Sequence, residues 1–346
     1  MSTESKISWT DATWSPVTGC TAESPGCKNC YAKREVQQRW SKNPRSIFYG
    51  RSFGDVRCHP EKLDQIIRWK KRRRIFVCPR ADLFHPEVPF EFIAAVFGAM
   101  AVSDHDLQVL TKRADRMLEF FSWVERRAEE EEESVTAFCI SRLDNELSEI
   151  LPEDSHYSEV FCPRPWPLPN VRLGVSVENQ EAADLRIPML LRAPAAFRWI
   201  SAEPLLGPVD LTKINLSGGQ FDALRGGEVG RGSKVEIWPG LDGVVAGGES
   251  GKKARPTHPL WFRMLRDQCA AAGKPFNLKQ AGEWTWRPND APKQVWVAAD
   301  GRGIRNDADS DMMLGRSGTK WLLMGRVGIR ASGRLLDGIL HDERAN

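Results

Sequence analysis

Apolar and polar positions follow a pattern along the chain that is typical of a parallel β-sheet with helical crossovers. Short runs that are apolar on both faces are predicted to be buried strands. These runs are residues 75–78, 107–110, 171–177, 197–200, 243–246 and 275–278. Between them apolar residues recur at helical spacing, for example at Phe92, Ala95, Val96 and Ala99. Strands that alternate with helices predict right-handed crossovers and a parallel sheet.

This alternation predicts an α/β fold built as a partial or full (β/α) barrel. Residues 14–19 would supply a seventh strand, and a doubly wound open sheet is the alternative. We assign residues 1–283 to the barrel-like domain and residues 284–346 to a small β-rich C-terminal appendage. In both architectures chemistry collects at the carboxyl ends of the strands.

Two segments depart from the alternation. Residues 125–169 read as an insertion with a solvated part, because they contain glutamates at every position from Glu129 to Glu133 and end in a proline-rich stretch. The appendage carries short strand-like runs among glycines and prolines, together with four tryptophans. They are Trp284, Trp286, Trp296 and Trp321.

Composition narrows the class of protein. The 49 basic and 46 acidic residues leave a formal net charge of +3, so no global charge demands a nucleic-acid partner. The sequence shows neither an apolar run of about 20 residues, the length of a membrane span, nor a signal peptide. We therefore expect a cytoplasmic protein with no membrane partner, whose 8 cysteines are reduced.

Three clustered cysteines are the strongest indication of a metal site in the sequence. Cys20, Cys27 and Cys30 are spaced as Cys-x6-Cys-x2-Cys in a loop rich in glycine and proline. Three thiolates suit an inorganic centre with one open position, whereas a closed structural zinc site needs four ligands. The alternative is a zinc site that Cys58 or His59 completes. The remaining five cysteines are expected to be packing residues.

Polar residues follow every predicted strand. They include Asp82, Lys112, Glu178, Glu203, Glu249 and Lys279. Burying so many charges costs desolvation free energy that a role in packing alone does not explain. We therefore predict a functional site at the mouth of the barrel, where these strands end. Gly247 and Gly248 would form a ligand surface beside Glu249.

A basic run begins at Arg68 and ends at Arg74, and it holds six basic residues around Trp69. It is either a nucleic-acid contact or the solvated end of a helix.

Across nearly the whole chain, the motifs resemble those of a phage- and prophage-associated three-cysteine family that is described as similar to radical S-adenosylmethionine (SAM) enzymes. The matching stretches are ISWTDATWSPVTGC, SPGCKNCYA, RIFVCPRADLFHPEVP, QVLTKRADRM, LGVSVENQ, SAEPLLGPVDL, GGESG, ARP and FNLKQAGEW. The resemblance implies a partial barrel with a [4Fe–4S] cluster on Cys20, Cys27 and Cys30. Its open iron would bind SAM, and one electron would release a 5′-deoxyadenosyl radical.

On this basis we expect a radical-SAM-type enzyme that modifies or repairs a nucleic acid, a nucleotide or a protein. We assign Lys112, Glu203 and Lys279 to catalysis. Cofactor binding is assigned to Tyr31, Asp82, Glu178, Gly247, Gly248 and Glu249. The expected partners are an electron donor, a partner protein and a nucleic acid at residues 68–74. The rival hypotheses are a zinc-dependent nucleic-acid-processing enzyme and a binding module that uses the basic run and the tryptophans.

Overall fold

The chain divides into two compact units. The computed structural model describes residues 7, 9–150, 156–161, 163–231, 234–286, 291–306 and 319–343. The first unit comprises Met1–Glu23, Ala32–Val175 and Arg192–Arg198. The second comprises Ser24–Tyr31, Ser176–Leu191 and Trp199–Asn346.

The main sheet has seven strands, β1 to β7, whose order in the sheet is their order along the chain. Their bounds are Ala12–Trp14, Arg74–Val77, Asp106–Thr111, Val171–Ser176, Phe197–Ala202, Gly243–Gly247 and Phe276–Gln280. Strands β1 to β4 pair in parallel, as do β5 to β7. The six strands expected from the apolar runs are confirmed. An order without reversal fits a partial (β/α) barrel and argues against a doubly wound sheet, whose order reverses at a switch point.

The first strand differs from its prediction. The sheet uses residues 12–14 instead of 14–19, and Val17–Thr18 pairs in antiparallel fashion with Arg57–Cys58. Pro16 explains the break, because proline lacks the N–H group that a continuous ladder requires.

Eight helices, α1 to α8, are described. Their bounds are Tyr31–Gln38, Phe90–Val102, Ala114–Glu130, Val135–Leu147, Tyr157–Val160, Gln180–Arg192, Pro259–Ala271 and Ile329–Ser332. The helical stripes are confirmed in α2, α6 and α7. The crossover from β5 to β6 departs from the alternation, because its described part contains two antiparallel hairpins and no helix. Their strands are Ile214–Leu216 with Gly219–Phe221 and Gly227–Arg231 with Lys234–Trp238.

The core of the first unit lies around α2, which is buried on nearly all sides. It packs against α4 so closely that a Cβ atom at Gly98 would overlap the Cys139 carbonyl. The rings of Phe97 and Phe120 stack with centroids 5.3 Å apart. The predicted insertion therefore has a solvated part, the exposed glutamates at residues 129–133, and a packed part, α4, whose apolar side chains are buried.

The C-terminal part is β-rich, as predicted. Four short strands form an antiparallel sheet, and Val295, Val297 and Met324 are buried on one of its faces. The strands are Trp284–Thr285, Trp321–Arg326, Gln294–Ala298 and Ile304–Arg305. Across the described ranges, no helix combines the length and apolarity needed to cross a membrane.

Candidate functional site

The segment that carries the three cysteines is a loop with two tight turns, one next to Cys20 and one that ends at Cys27. At Gly19 the backbone φ is +89°, and a Cβ atom there would overlap the Asp55 backbone. A single 3-10 turn, Pro25–Cys27, precedes Cys30, and α1 begins at the next residue. All three motif cysteines are half-buried and form no disulfide, so they are not sealed in a core. Cys20 belongs to the first unit, whereas Cys27 and Cys30 belong to the second.

A buried arginine faces Cys20 in the first unit. Arg113 is 4% exposed, and its Nη1 lies 3.7 Å from the Cys20 sulfur. Its Nη2 donates to the Thr21 carbonyl at 3.1 Å, and its Nε lies 3.4 Å from a Glu23 carboxylate oxygen. A cation at this distance stabilises a thiolate relative to a thiol.

Asp82 holds that arginine. Its Oδ2 accepts from Arg113 Nη1 at 3.2 Å and from the Lys112 backbone N–H at 3.1 Å. Its Oδ1 accepts from the Thr111 hydroxyl at 2.7 Å and from the Phe84 backbone N–H at 3.0 Å. Four donors therefore saturate the buried carboxylate, and its observed contacts position Arg113.

His85 completes the surroundings of Thr21. Its Nδ1 accepts from the Glu87 backbone N–H at 3.2 Å, so in the neutral ring Nε2 carries the proton. Nε2 then donates to the Thr21 hydroxyl at 2.8 Å. Burial and the nearby Arg113 lower the pKa of His85, which keeps the ring neutral at neutral pH.

In the second unit Glu178 holds the start of the Cys27–Cys30 stretch. This carboxylate is 2% exposed and pairs with Arg186 Nη1 at 2.6 Å. Its other oxygen accepts from the Ser24 hydroxyl. A Cβ atom at Gly26 would overlap the Glu178 side chain, so only glycine allows this approach.

Glu249 holds the other end of the same stretch. Its Oε1 accepts from Arg255 Nη2 at 2.6 Å, and its Oε2 accepts from Asn29 Nδ2 at 2.9 Å. Arg255 Nη2 also donates to the Pro25 carbonyl at 3.0 Å. Burial alone would raise the pKa of Glu249, but the hydrogen bonds from Arg255 and Asn29 outweigh it and the pKa is lowered.

A third charged pair of the same unit lies at the ends of β5 and β7. Lys279 Nζ contacts both Glu203 oxygens, at 2.8 and 2.9 Å. Gln280 Nε2 donates to Glu203 Oε1 at 3.1 Å and to the Gly248 carbonyl at 3.2 Å. A Cβ atom at Gly247 would lie 3.0 Å from the Glu203 carboxyl carbon. This pair keeps about a fifth of its side-chain surface accessible, at 18% for Glu203 and 21% for Lys279, so a ligand can reach it.

The structure thus joins the predicted residues into separate groups. Asp82 and the Lys112 backbone lie with Cys20, whereas Glu178 and Glu249 lie with residues 24–29. Tyr31 is 38% exposed and directly follows Cys30. The catalytic and cofactor roles assigned to these residues stay predictions.

The sequence reasoning missed the cationic partners Arg113, Arg186 and Arg255. A general rule could have found them. Buried carboxylates need a charged or hydrogen-bonding partner, so three buried acids at strand ends demand cations nearby.

Of the other described cysteines, Cys78, Cys139 and Cys269 are buried in the core and Cys58 is half-buried. Burial raises the pKa of Cys58 and of Cys269 to about 12, and it also raises the pKa of Cys78 and Cys139. Cys162, the fifth predicted packing thiol, lies outside the described residues. Within the described ranges, no group of three or more His, Cys, Asp and Glu side chains is arranged to hold a metal ion.

His59, one candidate for the fourth ligand in the zinc alternative, has a hydrogen-bonding partner at each ring nitrogen. His59 Nε2 lies 2.8 Å from the Thr18 hydroxyl, and its Nδ1 lies 3.2 Å from Glu61.

Acidic residues neutralise much of the basic run. It follows a 3-10 helix at Pro60–Gln65 instead of an α-helix, and it leads into β2. Three of its arginines form ion pairs, and Arg73 lies over the Trp69 ring. The pairs are Arg68 with Asp64, Arg72 with Asp106 at 2.8 Å, and Arg74 with Asp11 at 2.5 Å.

Comparison with known proteins gives a family for the chain. A family model with the description "Protein of unknown function (DUF5131)" matches residues 4–345. Neither the search of curated proteins nor the search of solved structures found a match.

Proposed function

The chain belongs to the DUF5131 family, and we propose that it is a radical-SAM-like iron–sulfur enzyme whose cluster ligands are Cys20, Cys27 and Cys30. The proposed substrate is a nucleic acid, a nucleotide or a protein. A bound [4Fe–4S] cluster with SAM would supply one-electron chemistry.

One observation carries the proposal. Two buried ion pairs and a third whose arginine is partly exposed are each hydrogen-bonded to the three-cysteine segment: Asp82–Arg113 at Thr21, Glu178–Arg186 at Ser24, and the partly exposed Glu249–Arg255 at Pro25. Buried ion pairs contribute little net stability because desolvation opposes the attraction between the charges. Their attachment to one loop therefore supports a role in holding that loop in a defined shape.

The donor chemistry fits an iron–sulfur group. The three motif thiols are half-buried, whereas Cys78, Cys139 and Cys269 are buried in the core. Arg113 offers a positive charge to Cys20, and metal ligation requires thiolates. Thiolates are the usual ligands of iron–sulfur clusters. Asp82 and Arg113 position Cys20, and Glu178 and Glu249 position the backbone that carries Cys27 and Cys30.

Anaerobic reconstitution tests the proposal. The full chain is incubated with iron and sulfide, and its bound iron, sulfide and zinc are measured. We expect a reducible brown iron–sulfur chromophore in the wild type and its loss in each of Cys20→Ala, Cys27→Ala and Cys30→Ala. Cys269→Ala is the matched control, since it removes a thiol from the core and should keep the full iron content.

Turnover is then measured with SAM and a reductant. Formation of 5′-deoxyadenosine by the wild type, and its absence in the three motif variants, supports the class of reaction. An intact cluster that yields no 5′-deoxyadenosine would overturn it. Stoichiometric zinc with no iron, released by Cys58→Ala or His59→Ala, would instead establish the zinc alternative.

A further inference from the structure

A short loop of the first unit packs against the backbone that carries Cys20. We call residues 51–57 the clamp loop. The Cys20 backbone N–H donates to the Phe53 carbonyl of this loop at 2.8 Å. A Cβ atom at Gly19 would overlap the Asp55 carbonyl oxygen, so that carbonyl lies directly against the residue before Cys20. The position of the Cys20 backbone therefore depends on the shape of the clamp loop.

Arg51 holds the clamp loop in its shape. The side chain of Arg51 is 8% exposed, and its Nε donates to Asp55 Oδ2 at 2.8 Å. Its Nη2 donates to the Asp55 carbonyl at 2.7 Å, and its Nη1 donates to the Ile47 carbonyl at 2.9 Å. The guanidinium thus fixes the carbonyl that packs against Gly19, and it ties the clamp loop to the chain that precedes it.

The same guanidinium also reaches the chain just before Cys20. Arg51 Nη1 donates to the hydroxyl oxygen of Thr18, which is fully buried, at 3.1 Å. The His59 ring is kept neutral because burial lowers its pKa, and its Nδ1 donates to Glu61 at 3.2 Å. His59 Nε2 then accepts from the Thr18 hydroxyl at 2.8 Å. Thr18, two residues before Cys20, is therefore held on both sides.

These contacts require a guanidinium rather than a positive charge alone. The three nitrogens of Arg51 bind a carboxylate, two carbonyls and a hydroxyl in a fixed fork, which the single ammonium of a lysine cannot reproduce. Arg57, the other arginine on Asp55, differs in this respect. It is 57% exposed, and it donates to the Asp55 carboxylate at 3.1 and 3.0 Å. Arg57 therefore offers a matched control for the charge on Asp55.

We propose that Arg51 is a positioning residue for Cys20. It acts through the clamp loop, which accepts the Cys20 backbone N–H, and through the Thr18 hydroxyl. The proposal deepens the proposed function, on which it rests for the claim that Cys20 is a cluster ligand. Arg113 offers its charge to the Cys20 sulfur, whereas Arg51 fixes the backbone that carries this sulfur.

Hydrogen exchange of the metal-free full chain tests the route through the clamp loop. Mass spectrometry follows the peptide that contains the Cys20 amide in the wild type, in Arg51→Lys and in Arg57→Lys. Arg51→Lys should speed exchange of this amide by about tenfold or more, because it loses charge-assisted hydrogen bonds that hold the acceptor loop. Arg57→Lys should exchange like the wild type. Wild-type exchange in Arg51→Lys would overturn the proposal.

Alkylation of the metal-free protein tests the route through Thr18. Iodoacetamide labelling is measured separately at Cys20, Cys27 and Cys30, and thermal unfolding is recorded for each variant. Thr18→Val removes the hydroxyl and should speed labelling of Cys20 severalfold with no change at the other two cysteines. Thr18→Ser keeps the hydroxyl and should restore the wild-type rate. Equal changes at all three cysteines would show a general loss of structure and would overturn the positioning role.

Reconstitution links the positioning role to the cluster. Arg51→Lys should bind less iron than the wild type, and the low-temperature paramagnetic resonance spectrum of its reduced cluster should differ from that of the wild type. Arg57→Lys should match the wild type in both measurements. The same spectrum and iron content in all three proteins would overturn the role of Arg51.

The two proposals can fail separately. Exchange and alkylation are measured without metal, whereas iron content and 5′-deoxyadenosine report the proposed function. Absence of iron from the wild type, together with the expected exchange and alkylation results, would overturn the enzyme proposal alone. An iron-loaded wild type, together with an Arg51→Lys variant that behaves like it in every measurement, would overturn the role of Arg51 alone.

Discussion

The Arg113 guanidinium lies between the Cys20 sulfur and the Asp82 carboxylate, with its Nη1 at 3.7 Å from the sulfur and 3.2 Å from Asp82 Oδ2. A single nitrogen thus connects a candidate metal ligand to a buried acid in the loop that follows β2. The acid keeps the cation in place, and the cation offers its charge to the sulfur. Asp82 is therefore buried at the predicted functional site because it holds Arg113, and its own acceptor positions are all filled.

Asp82→Asn should therefore destabilise the first unit. The substitution keeps the shape of the side chain but leaves the buried Arg113 with the Glu23 carboxylate, 3.4 Å from its Nε, as the remaining acidic partner. Removing one partner of a buried pair costs about 3–5 kcal/mol, which is the upper bound on the fall in the free energy of unfolding expected in denaturant titrations. Arg126→Ala removes an exposed helix pair with Glu130 and is the control, with an expected change below about 0.5 kcal/mol. A change as small as that of the control would contradict the role of Asp82.

Gly26→Ala tests the contact between the cysteine segment and Glu178. The new methyl group would overlap the Glu178 side chain, so the segment or the carboxylate must move. We expect a loss of iron on reconstitution that exceeds any loss of stability, since the turn that carries Cys27 is displaced. Iron content and thermal unfolding are measured on the same sample.

Gly218→Ala is the matched control. A Cβ atom at Gly218 meets no other atom within 4 Å, and the position does not require a left-handed backbone. This variant should keep its iron and its stability. Full iron content in the Gly26→Ala variant would show that cluster binding does not require the close contact between residue 26 and Glu178.

The strand ends could be predicted from the sequence, but the partners of their acids could not. Apolar runs mark buried strands locally, so Asp82, Glu178 and Glu249 were expected at one edge of a sheet. Their contacts join distant parts of the chain: Asp82 and Arg113 are 31 residues apart, and Glu178 and Ser24 are 154 apart. No local periodicity encodes such pairs, because they depend on the sheet register and on loop paths.

In the insertion, a prediction based on composition missed a local packed element. Its glutamates dominated the prediction, and they are indeed exposed. The helix that follows them, α4, buries Phe138, Ile140 and Leu143 against its neighbours. Average composition over a segment conceals a short amphipathic helix within it.

The Glu203–Lys279 pair should be needed for turnover beyond any role in the fold. About a fifth of each side chain is accessible, so a ligand can reach the pair, and thermal unfolding of each variant separates a loss of stability from a loss of turnover. Lys279→Met and Glu203→Gln should keep the iron content of the wild type and lower the SAM-dependent formation of 5′-deoxyadenosine by about 10²-fold or more, as expected for groups that move or hold protons. Product formation by both variants at the wild-type rate would remove the pair from the catalytic machinery.

His258 should make stability depend on pH in the mildly acidic range. Its Nδ1 accepts from the Leu260 backbone N–H at 3.1 Å at the start of α7, and burial lowers the pKa of the ring from 6.5 to about 4. Because the folded pKa is depressed, the stabilising contribution is fully present above pH 6.5 and is lost as the pH falls from 6.5 to about 4. The shift corresponds to a loss of about 3 kcal/mol at most. His258→Asn keeps a helix-capping acceptor without a titrating group, so it should be close to wild type in stability at neutral pH. Denaturant titrations of both proteins across this range should show the wild type losing more stability than the variant on acidification. Parallel pH profiles for the two proteins would contradict the assignment of this dependence to His258.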